Sequence, residues 1–382
     1  MDFNLTDEQR MIQESARRFV AEHYGVHRAS GDGSGAARWR SLADLGFLSI
    51  GQPEEFGGIG GAVEIAIVCR EFGRGPVLEP YISTALFAAQ IIARAGELEK
   101  NRELLESIAS GERIVSVAYR DADEAGEVGS VATLAHSVGD EFVLTGRKSL
   151  VLAAPEADLL IVSALAEGRD DWMGDLTWFL VDPAQEGVTI KPLRLVDGST
   201  CGEVTLDRVK VNSSKVLGRE HKGLEALQQA LRYATLGACS EVSGLCMAAL
   251  DITSEYIKTR KQFGNALSSF QALRHKVADM AINCEMAKAA VHKLIASFQA
   301  PELHDPEMTQ SLAKFVLDEI GQRVCSEAIQ LHGAMGLTEE CAIGRYYARA
   351  TLIRSLYGAT SSHLTNYARL LIAGLEQTSD QH

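Results

Sequence analysis

The sequence has no excess of positive charge: 37 lysines and arginines stand against 51 aspartates and glutamates, for a net charge of −14 over 382 residues. With no basic block to offset that balance, nucleic acid and anionic membrane surfaces are excluded as expected partners. Long apolar runs are also lacking. None approaches the ~18 residues of a membrane span, and Met1–Arg10 has no signal-like apolar core. Paired cysteines are missing as well. Cys69, Cys201, Cys239, Cys246, Cys284, Cys325 and Cys341 are odd in number, contain no C-x-x-C and lie mostly within helical stripes. That pattern argues against a disulfide framework or a cysteine metal site, and predicts reduced core thiols in a cytosolic protein. The glycine-rich Gly51–Gly61 has no strand pattern before it and no Lys-Ser/Thr after it, so it reads as a loop and not as a phosphate cradle.

The strongest positive signal is a pair of helical stripes. Apolar residues recur in steps of three and four at Leu227, Leu231, Ala234, Ala238, Val242, Leu245, Ala249, Ile252 and Tyr256. They recur again at Phe270, Leu273, Val277, Met280, Cys284, Ala287, Val291, Leu294 and Phe298. Two helices of about 30 residues, each roughly 45 Å long, therefore fold back on one another as the spine of a bundle. Between them lie Arg260, Lys261, Gln262, Phe263 and Gly264, with Ser268 and Ser269 placed to cap the second helix. An arginine fork at a glycine turn suits a phosphate group, and an arginine in a last helical turn also answers the helix dipole.

The flanking regions differ in period. Residues 1–112 read as helices, with a Thr6–Gln9 capping box for a helix through Tyr24, a loose stretch at 25–35, and helices at Trp39–Leu45, Ala62–Phe72, Tyr81–Ala95 and Glu99–Ser110. From about residue 113, short β-branched runs separated by turn residues predict strands at Ile114–Tyr119, Val131–His136, Glu141–Leu144, Leu159–Leu165, Leu176–Val181, Val188–Pro192 and Glu203–Val211. Strands without intervening helices make an antiparallel sheet or a small barrel. Helices return from about Leu224. A helix–loop–helix corner stands at Gln330–Arg349, where Thr338 can cap the second helix.

Arg260 to Gly264, followed by Phe270-Gln271 and Ala278-Asp279-Met280, resembles the signature of the acyl-CoA dehydrogenases, flavoenzymes that desaturate acyl-CoA thioesters. Leu45-Gly46-Phe47 with Pro53 to Gly60 is similar to their amino-terminal domain, and Gln330 to Gly336 to a segment that contacts the adenosine end of a flavin. The resemblance spans essentially the whole chain. It implies an N-terminal helical domain (1–112), a middle β-barrel (113–223) and a C-terminal four-helix bundle (224–382) that builds the oligomer. By the same resemblance Arg260, Gln262, Phe263, Gln271, Gln330, Gly333 and Thr360 are FAD-contacting positions, the first six offered to a neighbouring subunit.

Apart from Ala334, which replaces a second glycine beside Gly333, the departures from the family pattern fall on the side that would do chemistry. The family's glutamate base follows a tyrosine in Y-E-G-T-S; here the run is Tyr357-Gly358-Ala359-Thr360-Ser361, and the alternative glutamate position on the earlier bundle helix is Ala234. An arginine often found near the CoA aligns with Thr235. In the middle domain, Tyr119–Glu127 carries acidic residues where the family has a threonine-containing stretch at the flavin ring, and Leu150–Val151–Leu152 are apolar where it has a polar pair. His363 is a substitute base candidate, or an interface or surface residue. The chain is thus similar to the small subunits of paired acyl-CoA dehydrogenases, of the pimeloyl-CoA type and of the steroid-degrading pairs. The pairing implies a second acyl-CoA dehydrogenase-like subunit in an α2β2 assembly, acyl-CoA at the partner's site and an electron-transfer flavoprotein as acceptor. Two other readings remain open: a flavin-dependent monooxygenase of the same fold, which needs no glutamate base, and a flavin-free structural subunit.

Overall fold

A computed structural model describes residues 4–24, 35–95, 98–122, 131–167, 176–218 and 223–379. The expected loose stretch after Tyr24 falls mainly outside these residues, as do residues 123–127 of the acidic run. In chain order the helices are α1 (Asp7–His23), α2 (Gly35–Asp44), α3 (Ala62–Gly73), α4 (Ala89–Ala95) and α5 (Leu98–Ala109). Strands come next: β1 (Val115–Ala118), β2 (Leu134–Val138), β3 (Glu141–Leu152), β4 (Leu159–Glu167), β5 (Leu176–Val181), β6 (Val188–Arg194), β7 (Thr200–Asn212) and β8 (Val216–Leu217). After them are α6 (Gly223–Thr259), the short strands β9 (Lys261–Gln262) and β10 (Asn265–Ala266), α7 (Gln271–Gln299), α8 (Pro306–His332), α9 (Ile343–Ile353) and α10 (Thr360–Ser379).

Local chemistry accounts for much of this. Thr6 caps α1 in a reciprocal box: its hydroxyl accepts from the Gln9 amide at 3.2 Å, and the Gln9 side chain accepts from the Thr6 amide at 3.0 Å. Tyr81–Ala88, read as the first half of an α-helix, instead forms a π-helix running into α4. All eight of its side chains are buried, so no amphipathic stripe holds it to the 3.6 period. Ser268 and Ser269 do not cap α7: they lie in a 3₁₀ turn, the Ser269 hydroxyl donates to the Ala266 carbonyl, and Phe270 is the N-cap. Thr338 likewise bonds back to Met335, and α9 starts only after Ala342.

Two compact units divide the chain. One comprises Asp32–Gly61 and Leu78–Ala234 and contains the β-sheet. The sheet is not a barrel. Its strands run β6-β7-β3-β2-β4-β5-β8, with β1 beside the first half of β4, and β1 and β2 both pair parallel with β4. Closure would require β6 to meet β8. However, β6 is mostly exposed, carries Lys191, Pro192 and Arg194, and β8 has two residues. Proline and charge are how an edge strand avoids further pairing. Strand β3 runs well beyond the expected Leu144 because bulges against β7 at Leu144/Gly146 and Lys148/Val151 carry the ladder past a break in apolar alternation. The packed face includes Phe142, Leu144, Val162, Phe179, Val204 and Val209. Within it Lys148, fully buried, donates to Asp121 (2.8 Å) and Ser163 (3.0 Å), while Asp121 accepts from the Thr133 amide and hydroxyl.

The other unit comprises Met1–Gly31, Ala62–Val77 and Thr235–His382. It includes four long helices (α6 from Thr235, α7, α8 and α10), the shorter α9, and also α1 and α3 of the N-terminal region. Glycine permits the α3–α6 crossing: a Cβ on Gly244 would sit 1.9 Å from the Arg70 carbonyl oxygen, and one on Gly73 2.0 Å from that of Glu241. Glu241 on α6 is buried and accepts two hydrogen bonds from Arg349 on α9, at 2.5 and 2.9 Å. In contrast to the expectation of no span-length apolar segment, α6 is long and apolar enough to cross a membrane by composition, with 78% of that window buried inside the protein.

Candidate functional site

The end of α6 and the start of α7 are joined by a two-residue hairpin. Gln262 pairs with Asn265 and Lys261 with Ala266, leaving Phe263 and Gly264 as the central turn residues, at φ +53° and +80°. Positive φ at both positions is the type I′ geometry, which glycine adopts freely and phenylalanine does not; the left-handed backbone costs a non-glycine residue roughly 1–2 kcal/mol. The Phe263 ring is 88% exposed and touches Phe270 edge-on. Strain is thus held in a side chain that gains little from its own fold, the combination that marks a contact with something else. Arg260, Gln262 and Gln271 around it are exposed, and among the described residues the Arg260 guanidinium has no ion pair or hydrogen bond.

The end of α8 comes to the same end of the unit. Tyr256, one turn before Arg260, stacks on His332 with ring centroids 4.2 Å apart, and its hydroxyl approaches the His332 carbonyl at 3.3 Å. His332 donates from Nδ1 to the Ala328 carbonyl, and burial pulls its pKa down, so a neutral ring fits the stack. Gln330 and Gly333 flank that histidine and are exposed; Gly333, at φ +62°, has open space where a Cβ would be. Six of the expected residues therefore belong to two neighbouring corners. Thr360 does not join them. Its hydroxyl donates to Asp318 at 2.8 Å, and Asp318 lies four turns of α8 away from His332, roughly 20 Å.

The Tyr357–Thr360 position is closed. Tyr357 has φ +56° and Gly358 φ +101°, and a Cβ at 358 would lie 2.5 Å from His363 Nε2. That imidazole is buried and donates from Nε2 to the Tyr357 carbonyl at 3.0 Å. Burial is the main cause that lowers its pKa to about 4, aided by Lys314 and opposed by the carbonyl. It is a neutral donor held to the backbone, with the geometry of a brace for the turn. Beneath it Lys314, fully buried, binds both carboxylate oxygens of Asp318 (2.7 and 2.6 Å) and the Ile353 carbonyl (3.0 Å). Burial pushes the Asp318 carboxyl up, against the pull of Lys314.

Ala234 is fully buried, and the neighbouring Thr235 accepts from Gln310 at 3.1 Å. Sequence reasoning missed the Lys314–Asp318 pair. Its signal was present: two opposite charges at i,i+4 inside an otherwise apolar stripe, next to Ala313, Leu317 and Gly321. Lys148 and Asp121 gave no such signal, since their pairing depends on the bulged register.

Comparison with known proteins bears on the whole chain. The acyl-CoA dehydrogenase N-terminal, middle and C-terminal domain families match residues 6–112, 118–209 and 221–372. A probable acyl-CoA dehydrogenase of Bacillus subtilis, YngJ, is 30% identical over 97% of this chain and all of its own length. This chain belongs to the acyl-CoA dehydrogenase family. Subunit CarC of the caffeyl-CoA reductase-Etf complex of Acetobacterium woodii is 30% identical over 84% of this chain and 85% of its own. Among solved structures, the ChsE4-ChsE5 complex from Mycobacterium tuberculosis contains a chain that superposes with a TM-score of 0.83 at 26% identity, covering 97% of this chain and 99% of that one. As an acyl-CoA dehydrogenase family member the protein is an oxidoreductase of the flavoprotein type, and members of the family typically carry FAD.

Proposed function

We propose that this acyl-CoA dehydrogenase family protein is the base-lacking subunit of a heteromeric, FAD-dependent acyl-CoA dehydrogenase and completes its partner's flavin site. The observation that carries the reading is the occupied space at Gly358: the position that holds the family's glutamate has no side chain, and His363 fills the volume a Cβ would need. His363 itself is a poor proton acceptor there, with Nε2 committed to a backbone carbonyl and a pKa of about 4.

The exposed corner fits an anionic, planar cofactor. Arg260 presents a planar fork, unpaired among the described residues and suited to a pyrophosphate, Gln262 and Gln271 offer amide donors beside it, and Phe263 presents a ring face held outward by the turn. Gln330 and the open backbone at Gly333 stand at the adjoining corner. FAD, when bound, supplies the hydride acceptor for α,β-dehydrogenation of the acyl-CoA thioester. This chain's residues hold the cofactor's charge and exclude water from it, and removal of the α-proton falls to the partner's base. The paired assembly named for the ChsE4-ChsE5 structure supports a heteromer, and the Etf complex of the CarC relative supports an electron-transfer flavoprotein as acceptor.

The test is the flavin content of the complex formed with the partner subunit. One FAD per pair of unlike chains is expected. Arg260→Ala should weaken flavin retention tenfold or more, about 1.4 kcal/mol, and Arg260→Lys should restore it only in part, because it offers charge without the fork. One FAD per chain, or full flavin in Arg260→Ala, rejects the assignment, as does rapid flavin bleaching by acyl-CoA with this chain alone.

A further inference from the structure

A second concave site lies well away from both corners, within the helical unit, where α1, α3, α6 and α7 converge. It is a cavity of about 300 Å³, at the small end of ligand sites. Its walls are apolar on two sides, with Val63 and Ile67 from α3 and Val291 and Ile295 from α7. The titratable groups that line it are Arg70, Lys288 and His292, and among the described residues no carboxylate does so. In a chain with 51 acidic and 37 basic residues, a cavity lined by basic groups alone departs from the surrounding charge.

Arg70 and Lys288 are only loosely answered by their neighbours. Arg70 is 3.9 Å from Glu71, which also faces Arg17 at 3.3 Å, and Lys288 is 3.9 Å from Glu285. Both separations exceed hydrogen-bond length, and among the described residues neither Arg70 nor Lys288 has a side-chain hydrogen bond. The three basic groups also sense one another: Lys288 and Arg70 both add to the burial that lowers the His292 pKa. Two cations, Arg70 and Lys288, with donors unused among the described residues and apolar walls beside them, call for a ligand with an anionic head and a hydrocarbon body.

We propose that this cavity binds a free aliphatic monocarboxylate, its carboxylate held by Arg70 and Lys288 and its chain between the α3 and α7 walls. The volume suits a chain of roughly six to ten carbons and excludes a coenzyme A thioester. The site is therefore distinct from any acyl-CoA site, and the inference stands whether or not the chain pairs with a flavin-binding partner.

Titration of octanoate into the purified full chain, followed calorimetrically, tests it. We expect saturable binding of one octanoate per chain, weakening about fourfold for each methylene removed on passing to hexanoate and butyrate. Lys288→Glu, at a half-exposed position with no hydrogen bond to lose, should weaken binding at least tenfold while leaving the melting temperature in place. Ala66→Leu, which adds volume to the chamber wall, should do the same by exclusion. The proposal is overturned if octanoate does not saturate, if inorganic phosphate binds as well as octanoate, or if binding survives Lys288→Glu. Displacement of octanoate by an acyl-CoA would also overturn it, because that would put the carboxylate in the thioester's site.

Discussion

The α6–α7 corner and the Tyr357–His363 turn belong to the same compact unit, and both hold residues at positive φ, yet their side chains are treated in opposite ways. At the corner, Arg260, Gln262 and Phe263 are exposed, and among the described residues the arginine has no partner. At the turn, the polar groups around Gly358 are paired, and all but the half-buried Thr360 are buried: His363 with Tyr357, Thr360 with Asp318, Asp318 with Lys314. Open donors with a strained aromatic describe a surface that the chain leaves to solvent. A filled, hydrogen-bonded turn describes a position that the chain closes with its own side chains. The contrast teaches that a position without a side chain need not leave a hole, because a neighbouring side chain can fill it.

The comparison can be broken most forcefully on the closed side. Lys314→Met leaves the buried Asp318 carboxylate without its counter-charge and should cost about 3–5 kcal/mol in urea unfolding; a loss under about 1 kcal/mol would show the turn to be solvated. A slightly smaller effect is expected from pH. The fold holds His363 neutral, so the unfolded chain binds the additional proton between pH 6.5 and about 4. The stability this histidine contributes is full above pH 6.5 and falls away as pH drops through that window, by up to roughly 3 kcal/mol. Comparison of melting temperatures against pH with His363→Gln should show a flatter acid limb in the variant, and superimposable limbs would remove the histidine from the account.

Gly358→Glu restores the family's residue in name. It should instead destabilise by roughly 2 kcal/mol, through positive-φ strain and collision with His363, and produce no acyl-CoA-driven flavin bleaching. Adding His363→Ala should recover the collision part only. Bleaching by the single variant at unaltered stability would mean that the position is open after all. The smallest effect sharpens the other side: Arg260→Ala should change the melting of the chain by less than about 0.5 kcal/mol, since it removes no internal contact. A larger loss would identify Arg260 as a structural residue of the helix end.

Where the sequence was legible, the cause was local. The Thr6–Gln9 box, the strand Leu176–Val181 and the buried middles of the two stripes come from side-chain period and capping alone. The exposed corner was legible as chemistry because its residues are contiguous. The illegible features depended on distant partners. Barrel or open sheet is decided by whether two edge strands can meet. The fate of the serines before α7 depends on which carbonyl reaches them first. The role of His363 is set by a backbone oxygen six residues back and by a lysine 49 positions away. A motif could show that a glutamate was missing from position 358; only the folded chain shows which group stands in its place.

The left-handed turn at Tyr357 and Gly358 also ties together two positions that are five residues apart. With Gly358 at φ +101° and an imidazole nitrogen 2.5 Å from where its Cβ would be, a glutamate at 358 needs His363 to change as well. Each change made alone passes through a weaker intermediate, one strained at the turn and the other stripped of its brace. Proteins sit only slightly above the stability they need, so such intermediates are purged by selection. Positions 358 and 363 are therefore coupled: the missing side chain at one and the imidazole at the other each make a change at the other alone disadvantageous.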